Sequence, residues 1–284
     1  MTLSRSPLTV DNYLTEMTNS SFHNPSLPAH LYTEKYFREA CEGCDEFSAS
    51  QGDLLSHRLE MAIAVADVTP GMRVLDVGCG RGEILLHCAR MGAAAYGVDY
   101  APVAVAISRG VIAGTTRLSL GVTQADAKQL PFPDQHFDRV LMFDVLEHLY
   151  PWEIQAATLE VMRVLRDDGA LVAHTAPNAW YDRFTYPLVR AFRRLTGDGA
   201  NYPANPRALN VDANVDVHVN EQSALSLWRA LRKSGFRSRV WLHSPPQNRK
   251  ESRMLAMLRH VLFHWVPFRW FFEREVFAIA RKRI

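Results

Sequence analysis

Short apolar runs and amphipathic stretches alternate along the middle of this 284-residue chain. The runs near 72–77, 94–98, 119–124, 137–143 and 169–175 are bounded by turn residues, as buried strands are. Between them, residues 82–91, 101–113 and 151–166 place apolar side chains at helical spacing. Gly92 ends the first of these helices, and Pro151 stands in the first turn of the third. Asp167, Asp168 and Gly169 form a turn into the fifth strand. Strands alternating with helices over short connections predict a βαβ series. The alternation stops after Pro177 and Asn178, and residues 179–219 form an insertion. A helix from Gln222 to Ser234 and a strand from Phe236 to Leu242 restore the pattern. A second insertion, 244–274, precedes a last strand, Glu275 to Ala280. Residues 1–28, rich in Ser, Thr, Asn and Pro, read as a flexible segment. Residues 29–69 read as a helical cap, with Tyr32, Tyr36 and Phe37 at helical spacing and a helix from Gly52 to Ala66.

The end of the first strand carries the chemistry. Val74-Leu75-Asp76-Val77 runs into Gly78-Cys79-Gly80-Arg81-Gly82-Glu83. Strand, glycine loop and helix in this order make the nucleotide-binding corner of an α/β sheet, because glycine lets the backbone approach a ligand closely. A dinucleotide fingerprint needs a small residue where Glu83 stands. The second strand ends at Asp99, placed to accept both hydroxyl protons of a ribose. The third leads to Asp126 and Ala127, and the fourth to Asp144-Val145-Leu146-Glu147-His148.

The GxGxG loop behind Asp76, and acids ending successive strands, resemble the class I S-adenosylmethionine-dependent methyltransferases over residues 70–178. The resemblance implies an α/β Rossmann-like fold: a seven-stranded, mostly parallel sheet with helices on both faces and an antiparallel last strand. Residues 29–284 would then form one methyltransferase domain. It implies S-adenosylmethionine as cofactor, held by Asp76, Gly78, Cys79, Gly80, Gly82, Asp99, Tyr100, Asp126, Ala127, Asp144 and Val145. Asp126 would meet the adenine amino group, beside a backbone N–H for a ring nitrogen. The Glu147-His148-Leu149 segment is similar to the small-molecule and quinone branch.

Charge and apolar patterning then bear on the acceptor. The net charge of +2 hides an asymmetry: residues 229–284 hold 14 Lys and Arg against 3 Asp and Glu. In the first insertion Phe184, Leu188, Phe192 and Leu195 make an apolar stripe flanked by Arg183, Arg190, Arg193 and Arg194. In the second, Met254, Leu255, Met257, Leu258, Val261, Leu262, Trp265 and Val266 do the same, and Pro267 ends the stripe. Such faces either pack on the domain as a lid, join copies of the chain, or lie on an anionic membrane surface. No nucleic-acid reading module accompanies the basic tail, so no nucleic-acid partner is expected. The polar residues 1–11 do not read as a secretory leader, and no apolar run spans a bilayer. A cytoplasmic protein, peripheral at the inner membrane face, is expected. Cys41 and Cys44 form a CxxC that no second pair completes, and Cys79 and Cys88 lie in the loop and its helix. Reduced thiols and no metal site are expected.

The expected reaction is methyl transfer to a small-molecule or lipid-like acceptor, at oxygen. Nitrogen or carbon acceptors, and a non-catalytic cofactor-binding module, remain alternatives. Methyl transfer to a hydroxyl needs its proton removed. His148 and His218 are the candidate catalytic groups, with His174 also near a strand end.

Overall fold

Val74, Leu75 and Val77 are at most 1% exposed, so β1 (Arg73–Val77) is buried on both faces. Such a strand must lie at the centre of the sheet with helices above and below it. The computed structural model, which describes residues 24–115, 118–209, 212–243, 257, 260–263 and 265–283, places it there. β2 (Ala94–Asp99), β3 (Leu120–Gln124), β4 (Phe137–Phe143), β5 (Leu165–Thr175), β6 (Phe236–His243) and β7 (Glu275–Lys282) complete a seven-stranded sheet of order β3-β2-β1-β4-β5-β7-β6. β1 to β5 are parallel, and β7 runs antiparallel to both β5 and β6. The order reverses beside β1, so the carboxyl ends of β1, β2 and β4 open a crevice.

Side-chain alternation along β1 feeds two cores. Leu75 and Val77 pack with Ile154 and Val161 of α6 (Pro151–Val164) and Leu227 of α8 (Ala224–Lys233). Val74 packs on the other face with Ala62 of α3 (His57–Ala66) and Leu85 of α4 (Glu83–Arg90). Each buried aliphatic side chain contributes roughly 1.5–3 kcal/mol. α5 (Pro102–Ile112) joins β2 to β3. Two short helices, α1 (Glu34–Glu39) and α2 (Cys44–Ser50), lie over the crevice, and α7 (Tyr186–Leu195) belongs to the first insertion.

Two boundaries differ from the sequence expectation. The helix expected from Gly52 begins at His57. Gln51 (φ 55°) and Gly52 (φ 95°) instead turn the chain out of α2 in left-handed conformations, and Ser56 caps α3 by accepting from the Leu59 N–H. β5 begins at Leu165 rather than Gly169. Leu165 pairs with Phe137, and the register then shifts before Arg139 pairs with Ala170. The flexible segment expected for residues 1–28 lies, through residue 23, outside the described residues, as do residues 244–256 of the second insertion.

Candidate active site

The glycine loop is shaped by its backbone. Gly78, Gly80 and Gly82 all have positive φ, at 77°, 49° and 88°. The N–H groups of Gly78 and Cys79 donate to Val98 O on β2, at 2.8 and 3.0 Å. A Cβ on Gly78 would stand 2.4 Å from Val145 Cγ2. Gly80 and Gly78 line the crevice, while Gly82 sits behind the wall as the N-cap of α4, where a Cβ would meet Ser108 Oγ at 2.9 Å.

Acids surround this loop. Asp99 accepts from Gly80 N (3.0 Å) through one oxygen and from Ala101 N (2.8 Å) through the other. Burial pushes Asp99 up to about 6 against those hydrogen bonds. Asp76 is 3% exposed, and burial, with Glu83 and Asp99 nearby, pushes it up to about 8. Asp126 accepts from Lys128 N (2.9 Å) and pairs with the Lys128 ammonium (2.9 Å), which also reaches Glu153. Tyr100, Ala127 and Val145 line the same crevice.

The N-terminal cap is tied down by a residue that motif reading passed over. Arg81 is 3% exposed. It pairs with Glu83 Oε1 at 2.5 Å, donates to Phe37 O at 3.0 Å and to Glu42 O, and lies over the Phe47 ring. Glu83, which breaks the dinucleotide pattern, is thus the counter-ion of a buried arginine that locks α1 and α2 onto the loop. The visible signal was an arginine inside the glycine run with an acid two residues later. Tyr32, Tyr36 and Phe37 form an edge-to-face cluster that reaches His148, with Tyr32 5.7 Å from that ring.

At the far side of β4, Asp144 takes a left-handed φ of 54°. Its carboxylate lies 2.8 Å from His174 Nδ1 and 3.7 Å from Arg58, which also pairs with Glu42 and Glu275. Burial opposes ionisation, but His174 and Arg58 hold Asp144 well below the usual carboxylate range. His174 itself is fully buried against Phe277 and does not line the cavity. Val219 N and Asn220 N donate to Glu147 O, and Asn220 Nδ2 to Leu149 O. These bonds bring His148 and His218, 70 positions apart, to a ring separation of 4.9 Å. Burial pushes His148 down to about 3 and His218 down to about 4, so both are neutral imidazoles near pH 7.

One cavity of about 1620 Å³ joins these parts. It runs from the glycine loop past His148 and His218 to Leu188, Phe192, Leu262 and Phe272 of the two insertions. The insertions share one wall: Trp180 stacks on Phe271, and Thr185 Oγ1 donates to Phe271 O. Phe184, Leu188, Phe192 and Leu195 are 49–87% exposed, so this stripe is not packed away under the domain. Trp265, Val266 and Phe268 of the second insertion are exposed as well. Met254, Leu255 and Leu258 lie outside the described residues. All four cysteines are free.

A methyltransferase-domain family model matches residues 75–173, which hold the glycine loop and all three acid-tipped strands. Residues 75–173 therefore form a methyltransferase domain, and the chain is similar to the class I S-adenosylmethionine-dependent methyltransferases. The crevice suits that cofactor: Asp99 is fixed against the glycine loop, and Asp76 is a buried acid without a paired cation among the described residues. The demethylmenaquinone methyltransferase of Tropheryma whipplei is 34% identical over 49% of this chain and 55% of its own length. The fatty-acid O-methyltransferase of Mycolicibacterium smegmatis is 36% identical over 52% of this chain and 50% of its own. The chain thus spans about half the length of these curated relatives. A solved Pyrococcus horikoshii protein shares the fold over 91% of this chain and all of its own, at TM-score 0.57 and 16% identity.

Proposed function

We propose that this chain transfers a methyl group from S-adenosylmethionine to the hydroxyl oxygen of a lipid-like acceptor. The carrying observation is the continuous cavity that starts among acids and glycines, passes two neutral histidines and ends in an apolar mouth. The bound cofactor supplies an already activated methyl group. The chain's own task is to align the partners and exclude water. In this reading Asp99 accepts the ribose hydroxyls and Asp126 and Ala127 meet the adenine. Gly78, Cys79 and Gly80 leave room for the donor, while Gly82 supports the loop from behind. Tyr100, Asp144 and Val145 flank the donor, and Asp76 orders the loop beneath it. The aromatic cap over His148 shuts solvent out. His148 and His218 assist removal of the acceptor proton.

The lipid-like class rests on the apolar mouth and on the names of two relatives, one acting on demethylmenaquinone and one on a fatty acid. A Bordetella avium relative named as a quinone-biosynthesis C-methyltransferase, 27% identical over 62% of this chain, favours carbon as the second reading. No helix among the described residues is long and apolar enough to cross a membrane. The exposed stripe of α7 with Arg183 and Arg194 beside it instead suits the surface of an anionic bilayer, from which the acceptor enters. On this reading the protein works at the cytoplasmic face of a membrane.

The test is a screen of long-chain phenols, quinols and fatty acids with isotopically labelled donor, read by mass spectrometry. An O-methylated product is expected, and its loss in a His148→Ala, His218→Ala double variant. Wild-type turnover by that variant excludes the histidines, and a C-methylated product selects the second reading. Co-sedimentation with phosphatidylglycerol vesicles tests the surface. Absence of binding at low salt removes that part.

A further inference from the structure

Three side chains at the acceptor end remain incompletely engaged, and they converge. Glu147, His148 and His218 can each offer one ligand atom such that all three atoms lie within 4.8 Å of one another. Each has its remaining valence arranged as a metal ligand needs. The Nδ1 of His148 stands 3.0 Å from Val217 O. A carbonyl only accepts, so that nitrogen carries the proton and Nε2 keeps its lone pair. The carboxylate of Glu147 receives the Thr175 hydroxyl on Oε2 at 2.8 Å and has no Lys or Arg within 4 Å among the described residues. It is 1% exposed. His218 is 6% exposed, and its Nδ1 has no hydrogen-bond partner among the described residues. Its neighbour Glu221, 3.9 Å away, is already occupied by a two-pronged contact from Arg207 at 2.5 and 2.8 Å.

We propose that Glu147, His148 and His218 bind a divalent transition-metal cation, which holds the acceptor's oxygen at the end of the donor cleft. The inference rests on the methyltransferase reading and deepens it. Two imidazoles and one carboxylate are a donor set for Mn²⁺, Fe²⁺, Co²⁺ or Zn²⁺, and three protein ligands leave positions open for a substrate. The set lies on the cavity wall between the glycine loop and the apolar mouth, where an acceptor must pass. A cation bound there makes the acceptor hydroxyl more acidic. The O–H bond breaks, the electron pair stays on the coordinated oxygen, and the proton passes to water. The ligands come from two adjacent residues, Glu147 and His148, and a histidine 70 positions on.

The test uses the full chain, stripped with EDTA and titrated with Mn²⁺ while the free ion is followed by electron paramagnetic resonance. Wild type is expected to take up one Mn²⁺ per chain, and Co²⁺ in its place should give a visible d–d spectrum. Glu147→Gln, His148→Ala and His218→Ala should each weaken Mn²⁺ binding at least ten-fold. Each variant is also titrated with S-adenosylhomocysteine, and retained binding shows that it is folded. His218→Gln serves where His218→Ala does not fold. Failure of the wild type to bind Mn²⁺, Co²⁺ or Zn²⁺ stoichiometrically overturns the site, as does unchanged affinity in folded variants. Absence of S-adenosylhomocysteine binding with Mn²⁺ uptake intact would sink the methyltransferase reading and leave the metal site standing.

Discussion

The two ends of the cavity are built differently. At the donor end, backbone and buried charge do the shaping: three glycines at positive φ, strand-tip acids, and an arginine 3% exposed that ties the cap to the loop. At the acceptor mouth, exposed side chains on α7 and the second insertion do it, with Leu188 at 68% and Phe192 at 58% exposure. A cofactor of fixed shape permits a rigid site. An apolar acceptor needs area rather than directed bonds, and side chains on a surface helix supply that area. The difference explains why the same chain is tightly determined at one end and loosely at the other.

The comparison breaks first at Arg81. Arg81→Ala leaves Glu83 buried without its partner and should cost about 3–5 kcal/mol in thermal or urea unfolding. The matched change at the mouth, Arg194→Ala on an exposed site, should stay within about 0.5 kcal/mol. Equal effects from the two would show that the ends are not built differently.

Asp99→Asn is the next largest. It keeps the shape but removes the charged acceptor. Calorimetry should show S-adenosylhomocysteine binding weakened about ten- to a hundred-fold, following a loss of roughly 1.5–3 kcal/mol for a charge-assisted bond. Its unfolding temperature should move far less than that of Arg81→Ala.

A pH series sharpens the point. In the proposed role Asp99 binds both ribose hydroxyls most strongly as a carboxylate, and burial pushes it up to about 6. Affinity for S-adenosylhomocysteine should therefore hold near pH 7.5 and fall as pH drops through that value. At one unit below it, about one-tenth of the group is ionised, so affinity should fall about ten-fold. Asp99→Asn should flatten this limb of the profile. A profile that keeps the limb in the variant assigns it to another group.

The smallest effect on stability belongs to the mouth. Leu188→Ser with Phe192→Ser should leave unfolding within about 0.5 kcal/mol and donor affinity unchanged, because neither side chain is buried. Turnover of long-chain acceptors and vesicle binding should fall together. Loss of turnover without loss of vesicle binding would restrict these residues to gripping the acceptor.

The sheet was readable because its evidence is local. Apolar runs marked all seven strands, and errors were confined to ends where a bulge or a left-handed turn intervened, at 165–169 and at Gln51–Gly52. Glycines needed for positive φ carried the loop, and Asp99 is recognisable from its place at a strand end. The part played by Arg81 was not readable, since its partners Phe37, on α1, and Glu42, in the turn after α1, lie about 40 positions upstream.

The chain alone therefore determined the fold and the glycine-and-acid crevice, because hydrophobic periodicity and glycine conformation act over a few residues. Only the tertiary structure decided how the acceptor end is put together. It brought His218 beside Glu147 and His148 through hydrogen bonds at Val217, Val219 and Asn220. It joined the two insertions into one wall, and left the α7 stripe facing outward. Those outcomes depend on contacts across 70 or more positions, and no local pattern in a sequence specifies which distant segment will fill a given face.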